Sequence, residues 1–285
     1  MNQPQLNENS LSPVPAATPA NAATDAAADA AVLGEAARRS RRAFLVGGLA
    51  TFAGLGGWRW LATRPAADGI AWPLRRVLDA NGQLSAAYFQ STRLAPEFDR
   101  KRGLMPRVNG VIGFDKDFDP AAWRLRVQAY APGGPARSQE FTLADIKALP
   151  RVEMTTELKC IEGWSTIVTW AGARFADFVA RYPLAAAPGN PGEDAALLAP
   201  YVGLKTPDGK YYVGLDLASA LHPQTLLCYE MEGRPLTPAH GAPLRLVTPL
   251  KYGIKHLKRI GSIVFTGERP ADYWAELGYD WDSGH

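Results

Sequence analysis

The sequence predicts an α+β fold with mixed sheets and short helices. Two observations lead there. Runs with a period of two recur along the second half of the chain, and the helical stripes among them are short and isolated rather than set in βαβ alternation. The 23 prolines, 27 glycines and eight tryptophans add a loop-rich, aromatically packed character and argue against a helical bundle. With 47% hydrophobic and 21% charged residues, the 285-residue chain can bury a sizeable core. A net charge of +3 is too mild to imply a nucleic-acid partner.

The chain divides by composition. Residues 1–37 are rich in Ala, Pro, Asn and Ser and contain no aromatic residue. They bury too little apolar surface to offset chain entropy, so disorder is expected there. Residues 38–63 follow as a second segment. Ser40-Arg41-Arg42-Ala43-Phe44-Leu45 and the apolar run to Trp58 resemble a twin-arginine export signal. The resemblance implies a periplasmic address and a protein exported folded. The run is short for a membrane span. No clean A-x-A cleavage site follows it, so cleavage and retention as an anchor both stay open. Residues 64–104 show turn signals without a long period and read as an N-terminal arm. Residues 105–285 form the main domain.

Within that domain, Trp123, Leu125, Val127 and Ala129 alternate with polar neighbours as a half-buried strand. In "FTLADIKALP", Thr142 is a helix cap with Asp145 three residues on, and Leu143, Ile146 and Leu149 form the apolar stripe. "RVEMTTELKC" is a strand whose inward face is Val152, Met154, Thr156, Leu158 and Cys160. Phe175, Phe178, Val179 and Tyr182 stand at helical spacing. Residues 185–195 read as a surface loop. "YVGLKTPDGKYYVGL" reads as a hairpin turning at Asp208-Gly209.

The chain has two cysteines. Cys228 sits in an apolar strand candidate and reads as a small hydrophobe. Cys160 ends its strand just before a turn, where sites are often built. It reads as a buried thiol, as half of a disulfide to Cys228, or as a functional thiolate. Two cysteines and four scattered histidines do not make a zinc site. A single soft thiolate suits a metal whose other ligands come from a cofactor.

"LKCIEGWS" resembles the cysteine motif of the sulfite oxidase family of molybdenum enzymes. "LTPAHGAPLRLVTPLKYGIKHLKRIGSI" is similar to that family's cofactor-anchoring segment, with "ALHPQTLLCYEMEGRPL" before it and "ERPADYWAELGYDW" after it. The likeness runs over about 105–282, nearest to the exported single-domain branch that includes a periplasmic methionine sulfoxide reductase catalytic subunit. It implies a sulfite-oxidase-type molybdopterin-binding fold and a Mo-molybdopterin cofactor. Cys160 would be the metal ligand, and Asn109, Thr206, His240, Arg245, His256, Leu257 and Lys258 would hold the cofactor, the last three next to one another. Glu162 and Tyr279 would stand near the metal. Arg245 and Lys258 would take the phosphate, with a solvated basic face as the alternative for the lysine run. Trp164 and Trp170 read as packing, and His222 as a turn residue.

The implied reaction is two-electron oxygen-atom transfer on a small or protein-bound substrate. S-oxides such as methionine sulfoxide lead, with sulfite dehydrogenase as an alternative. A non-redox binding module and a cysteine-nucleophile hydrolase are the readings outside that class. No haem or iron–sulfur motif is present, so a separate electron partner is implied, a membrane haem protein or a cytochrome. The chain ends just after the last matching motif, and a monomer is expected.

Overall fold

An alanine-rich run makes the first element, helix α1 (Pro19–Ala62). The structure is a computed structural model that describes residues 19–285 apart from 68, 115–117 and 190–196. Two units divide the chain, residues 1–63 and 64–285. From Pro19 onward the first unit is helix, where disorder is expected over 1–37; residues 1–18 lie outside the described part. A composition too poor to build a core is still rich in Ala, the strongest helix former. No helix among the described residues is long and apolar enough to cross a membrane.

The second unit starts with the two-residue strands β1 (Ala66–Ala67) and β2 (Ile70–Ala71), paired antiparallel. Helix α2 (Trp72–Tyr88) follows, where the sequence reads as an arm without regular structure. Its signal is masked because the faces are inverted. Leu74, Val77, Leu84 and Tyr88 are exposed, while Arg75 is buried and donates to the Ala275 carbonyl at 2.6 Å. Further on, the chain crosses the main sheet, with Phe98 N–H on the Thr155 carbonyl and Leu104 N–H on that of Ile167. Gln224 ties this crossing down by bonding Ala95 at both its N–H and its carbonyl. His222, read as a turn residue, is buried with Nε2 at 3.1 Å from the Arg93 carbonyl.

Two sheets carry the rest. One comprises β3 (Leu125–Gln128), β4 (Ser138–Phe141), β7 (Tyr201–Lys205), β8 (Tyr212–Asp216) and β12 (Ser262–Thr266), in the order β4-β3-β12-β7-β8. The other comprises β5 (Arg151–Lys159), β6 (Ser165–Arg174), β9 (Leu226–Met231), β10 (Arg234–Pro235) and β11 (Arg245–Val247), in the order β10-β9-β6-β5 with β11 also on β9. Only β3 and β12 pair in parallel among these strands. Short helices α3 (Leu143–Lys147), α4 (Phe175–Arg181), α5 (Leu217–Ala220) and α6 (Tyr273–Glu276) complete an α+β architecture.

Local rules account for the elements. Trp123, Leu125, Val127 and Ala129 are all buried along β3. Thr142 and Asp145 form a reciprocal capping box at α3. Phe175 and Phe178 of α4 are fully buried. The β7–β8 hairpin turns with Gly209 at φ +68°. Along β5 the inward residues Met154, Thr156 and Leu158 are buried, but so is Thr155, whose hydroxyl meets that of Thr169 at 3.0 Å beneath the crossing segment. Of the expected loop, Ala185–Ala187 are buried, and residues 190–195 lie outside the described part. Gly172 sits at a register shift against β9, where a Cβ would stand 2.2 Å from the Leu227 carbonyl oxygen. Only glycine allows that approach.

Candidate active site

β5 and β6 are neighbours over their whole length, and the turn between them begins at Cys160. Cys160 N–H bonds the Trp164 carbonyl at 2.9 Å, and Gly163, at φ +84°, donates to the Cys160 carbonyl. The turn stops the alternation and aims the half-buried thiol into a cleft of about 800 Å³, solvent mouth included. Burial, more than any neighbour, raises the thiol pKa; the Glu162 and Arg107 charges pull in opposite directions. No disulfide forms, because both cysteines are free. Cys228 is fully buried in β9, and burial pushes its pKa up to about 12.

Three further parts of the chain wall the cleft. A strap over residues 106–114 supplies Arg107, Asn109 and Phe114; the hairpin supplies Tyr211; the C-terminal third supplies His240, Arg245, His256, Lys258 and Trp274. Asn109 Nδ2 is 4.0 Å from Cys160 Sγ. Lys258 Nζ donates to the Asn109 carbonyl and so holds the strap down. Gly113, at φ +81°, packs so closely on Thr206 that a Cβ would lie 2.4 Å from the threonine methyl.

The electrostatics are one-sided. Arg245 is 3% exposed; it donates to the carbonyls of His240 (3.1 Å) and His256 (3.4 Å), and its Nε has no acceptor. Among the described residues no carboxylate pairs with Arg245 or Lys258. Burial pulls Arg245 down to about 10. Burial and then the Arg245 charge pull Lys258 to about 8 and His256 to about 3. His240 is lowered by burial, then by Arg245 and Lys258. Buried charges without partners are costly, so this wall is built to receive an anion.

The lysine run is not a solvated face. Lys255 is fully buried, 2.6 Å from Asp272 Oδ2 and 2.9 Å from the Gly214 carbonyl. Lys251 pairs with Asp282 at 2.5 Å, and the Arg259 guanidinium lies 4.2 Å over Phe118 and 4.5 Å over Phe114.

Of the residues singled out from sequence, Asn109, Cys160, His240, Arg245, His256 and Lys258 line one cleft. Four stand outside its lining. Glu162 is at the rim, because the strand parity ends with the turn; it pairs with Arg107 at 3.1 Å and accepts Trp164 Nε1–H at 2.9 Å. The Thr206 hydroxyl is turned to Asp208 and to the Tyr211 backbone. Leu257 is fully buried in the core. Tyr279 is half exposed, with its ring 5.1 Å from that of Trp274. Sequence reasoning missed Arg107, Tyr211 and Trp274, and took Trp164 for packing. The Tyr211 hydroxyl donates to the Ile254 carbonyl at 2.5 Å and accepts from Trp274 Nε1 at 3.0 Å. No local pattern marks that pairing.

The fold and cleft define a class: an α+β domain whose cleft sets one thiol against a cationic wall. Residues 112–274 match the family described as oxidoreductase molybdopterin binding domain, and the chain belongs to that family as a molybdopterin-dependent enzyme. It is 34% identical over 199 residues to a putative protein-methionine-sulfoxide reductase subunit YedZ1 of Azospira oryzae, covering 69% of this chain and 70% of that one. It is also 34% identical over 139 residues to a protein-methionine-sulfoxide reductase catalytic subunit MsrP of Xanthomonas axonopodis pv. citri, covering 46% and 42%. The chain thus spans less than half the length of that second relative. The solved sulfane dehydrogenase SoxCD of Paracoccus pantotrophus overlays 54% of this chain and 40% of its own at TM-score 0.44 and 14% identity.

The residues fit a molybdopterin. Its phosphate meets the need of the unpaired Arg245 and Lys258, and the vacant Nε–H of Arg245 is a donor waiting for an acceptor. A lone thiol in the same cleft could supply a soft ligand to the metal of such a cofactor.

Proposed function

We propose that the protein is a periplasmic reductase of S-oxides, exported by the twin-arginine route and supplied with electrons by a separate haem protein. The carrying observation is the single cleft that brings the Cys160 thiol and the unpaired Arg245 and Lys258 together. The two relatives named as protein-methionine-sulfoxide reductase subunits support the substrate class. When bound, the cofactor supplies two-electron oxygen-atom transfer.

This chain's residues do the rest. Cys160 is the thiolate ligand of molybdenum. Arg245 and Lys258 would take the phosphate, and His240, His256 and Asn109 would help to hold the cofactor. Leu257 holds the backbone between His256 and Lys258. Thr206 seats the strap through Gly113, and Tyr279 braces Trp274. Reduction of one S-oxide consumes two electrons and two protons and releases the sulfide and water. The protein works as a monomer, with 1–37 as an N-terminal extension, 38–63 as the export signal or a retained anchor, and 64–104 as an arm on the 105–285 domain.

The test is molybdenum analysis of the matured protein, followed by turnover of methionine sulfoxide against reduced dye and of sulfite against oxidised dye. About one metal per chain and faster sulfoxide turnover are expected. Sulfite dehydrogenase is the second reading, favoured by the Arg107 guanidinium in the cleft lining; sulfite turnover well above sulfoxide turnover would establish it. A folded, metal-bound protein inert on a broad panel of both substrate classes would point to a binding module.

A further inference from the structure

Arg107 reaches the cleft mouth from the strap and meets two neighbours there. Its guanidinium carbon lies 4.4 Å over the Trp164 ring, and its Nη2 is 3.1 Å from Glu162 Oε2. The same Oε2 accepts Trp164 Nε1–H at 2.9 Å. Arginine, indole and carboxylate therefore close a triangle. Arg107 and Trp164 line the cleft with Cys160, whereas Glu162 stands behind them.

The charges around this triangle give it meaning. The titratable groups lining the cleft, among the described residues, are Arg107, Cys160, Tyr211, His240, Arg245, His256 and Lys258, without a single carboxylate. Among the described residues, Glu162 is the one acid paired to any of them. A guanidinium offers five N–H donors, and one carboxylate oxygen engages only part of that fork. The rest remains open to the cleft mouth. With side chains 60% and 61% exposed, the pair is loosely held and its fields largely cancel a few ångströms away.

We propose that Arg107 is the substrate-selecting residue of the cleft and that Glu162 sets its selectivity by cancelling its charge. A neutral S-oxide needs a hydrogen-bond donor for its strongly dipolar oxygen and no net charge, and the paired Arg107 offers that. An anionic sulfur oxo-acid gains most from net positive charge, which Glu162 withholds. Trp164 offers an apolar face beside the donor for the carbon substituents of the sulfide. The proposal deepens the S-oxide reading and rests on it for the substrate.

The experiment uses the full-length, cofactor-loaded protein as wild type, Glu162→Gln, Arg107→Ala and the double variant, with Arg107→Gln in reserve should Ala disturb the strap. Sulfate binding is measured by calorimetry at fixed ionic strength, and turnover of dimethyl sulfoxide gives KM and kcat separately. Glu162→Gln is expected to tighten sulfate about five- to tenfold, the worth of one unit charge at ~4 Å near water. The double variant is expected to lose that gain. Arg107→Ala is expected to raise the sulfoxide KM more than it lowers kcat. Sulfate affinity within twofold of wild type in Glu162→Gln, or a gain that persists without Arg107, overturns the proposal. A wild type that reduces no sulfoxide removes the S-oxide reading, and the sulfate comparison still decides the role of the charge pair.

Discussion

The Arg245 guanidinium lies 4.8 Å over the ring of Trp170, fully enclosed and without a carboxylate beside it among the described residues. Burying such a charge for structure alone is a poor bargain, since apolar residues of similar size often do as well or better. Arg245→Met therefore separates the two roles. In cofactor-free protein, loss of the unpaired charge offsets the two orphaned carbonyls of His240 and His256, and the urea midpoint is expected to match or exceed wild type. Molybdenum content of the matured variant is expected to fall at least about tenfold. Destabilisation beyond about 2 kcal/mol with metal content intact would make Arg245 a structural residue.

The two cysteines differ by environment, and so should their variants. Cys160→Ser is expected to remove most of the molybdenum while leaving the unfolding midpoint near that of cofactor-free wild type, because the thiol is half-buried at a turn. Cys228→Ala, within β9, is expected to cost about 1 kcal/mol by its small cavity and to leave the metal in place. Metal analysis and urea titration of both variants check the contrast. Equal metal loss in the two would remove Cys160 from its assigned role.

What was readable in the sequence was local. The β5 parity that turns Leu158 inward, the Thr142–Asp145 capping box and the Asp208-Gly209 turn each depend on residues a few positions apart. What was not readable depends on distant partners. Lys255 and Lys251 look like a basic face until Asp272 and Asp282, 17 and 31 residues on, bury them. Tyr211 enters the cleft through Trp274, 63 residues away. Helix α2 hides because it buries Arg75 and exposes Leu74 and Val77, the reverse of an amphipathic pattern. Asn109, Cys160, His240, Arg245, His256 and Lys258 could be named because the family resemblance carries them, whereas Glu162, named on the same ground, stands at the rim because the turn after Cys160 ends the strand alternation.

His256 sets an acid limit. Burial and the Arg245 charge hold it at about 3, below its unfolded value of 6.5. The folded state keeps it neutral, so between those values the unfolded chain binds the extra proton and stability rises with pH. That contribution is complete above about pH 6.5 and is lost as pH falls toward 3. His256→Gln is expected to flatten the stability–pH curve of cofactor-free protein between about pH 4 and 6, by up to roughly 1.4 kcal/mol per pH unit. Urea titrations at stepped pH read this directly; an unchanged slope would mean that His256 already titrates normally in the fold.

Lys255 and Asp272 form a buried pair that positions α6 and, through it, Trp274. Asp272 Oδ2 takes Lys255 Nζ at 2.6 Å and Gly214 N–H at 3.1 Å, while Oδ1 caps α6 through the N–H groups of Trp274 and Ala275. Asp272→Asn keeps the size and much of the cap but leaves the lysine charge enclosed with the Gly214 carbonyl and the Trp281 ring, 4.7 Å away, and no carboxylate among the described residues. A cost of about 3–5 kcal/mol is expected. Lys255→Met with Asp272→Asn is expected to recover most of it, because the unpaired charge goes with the lysine. A double variant no more stable than Asp272→Asn alone would mean that the cap and the Gly214 contact, rather than the buried charge, carry the cost. Trp274 lines the cleft, so in Asp272→Asn molybdenum content is expected to drop along with stability and to return in the double variant.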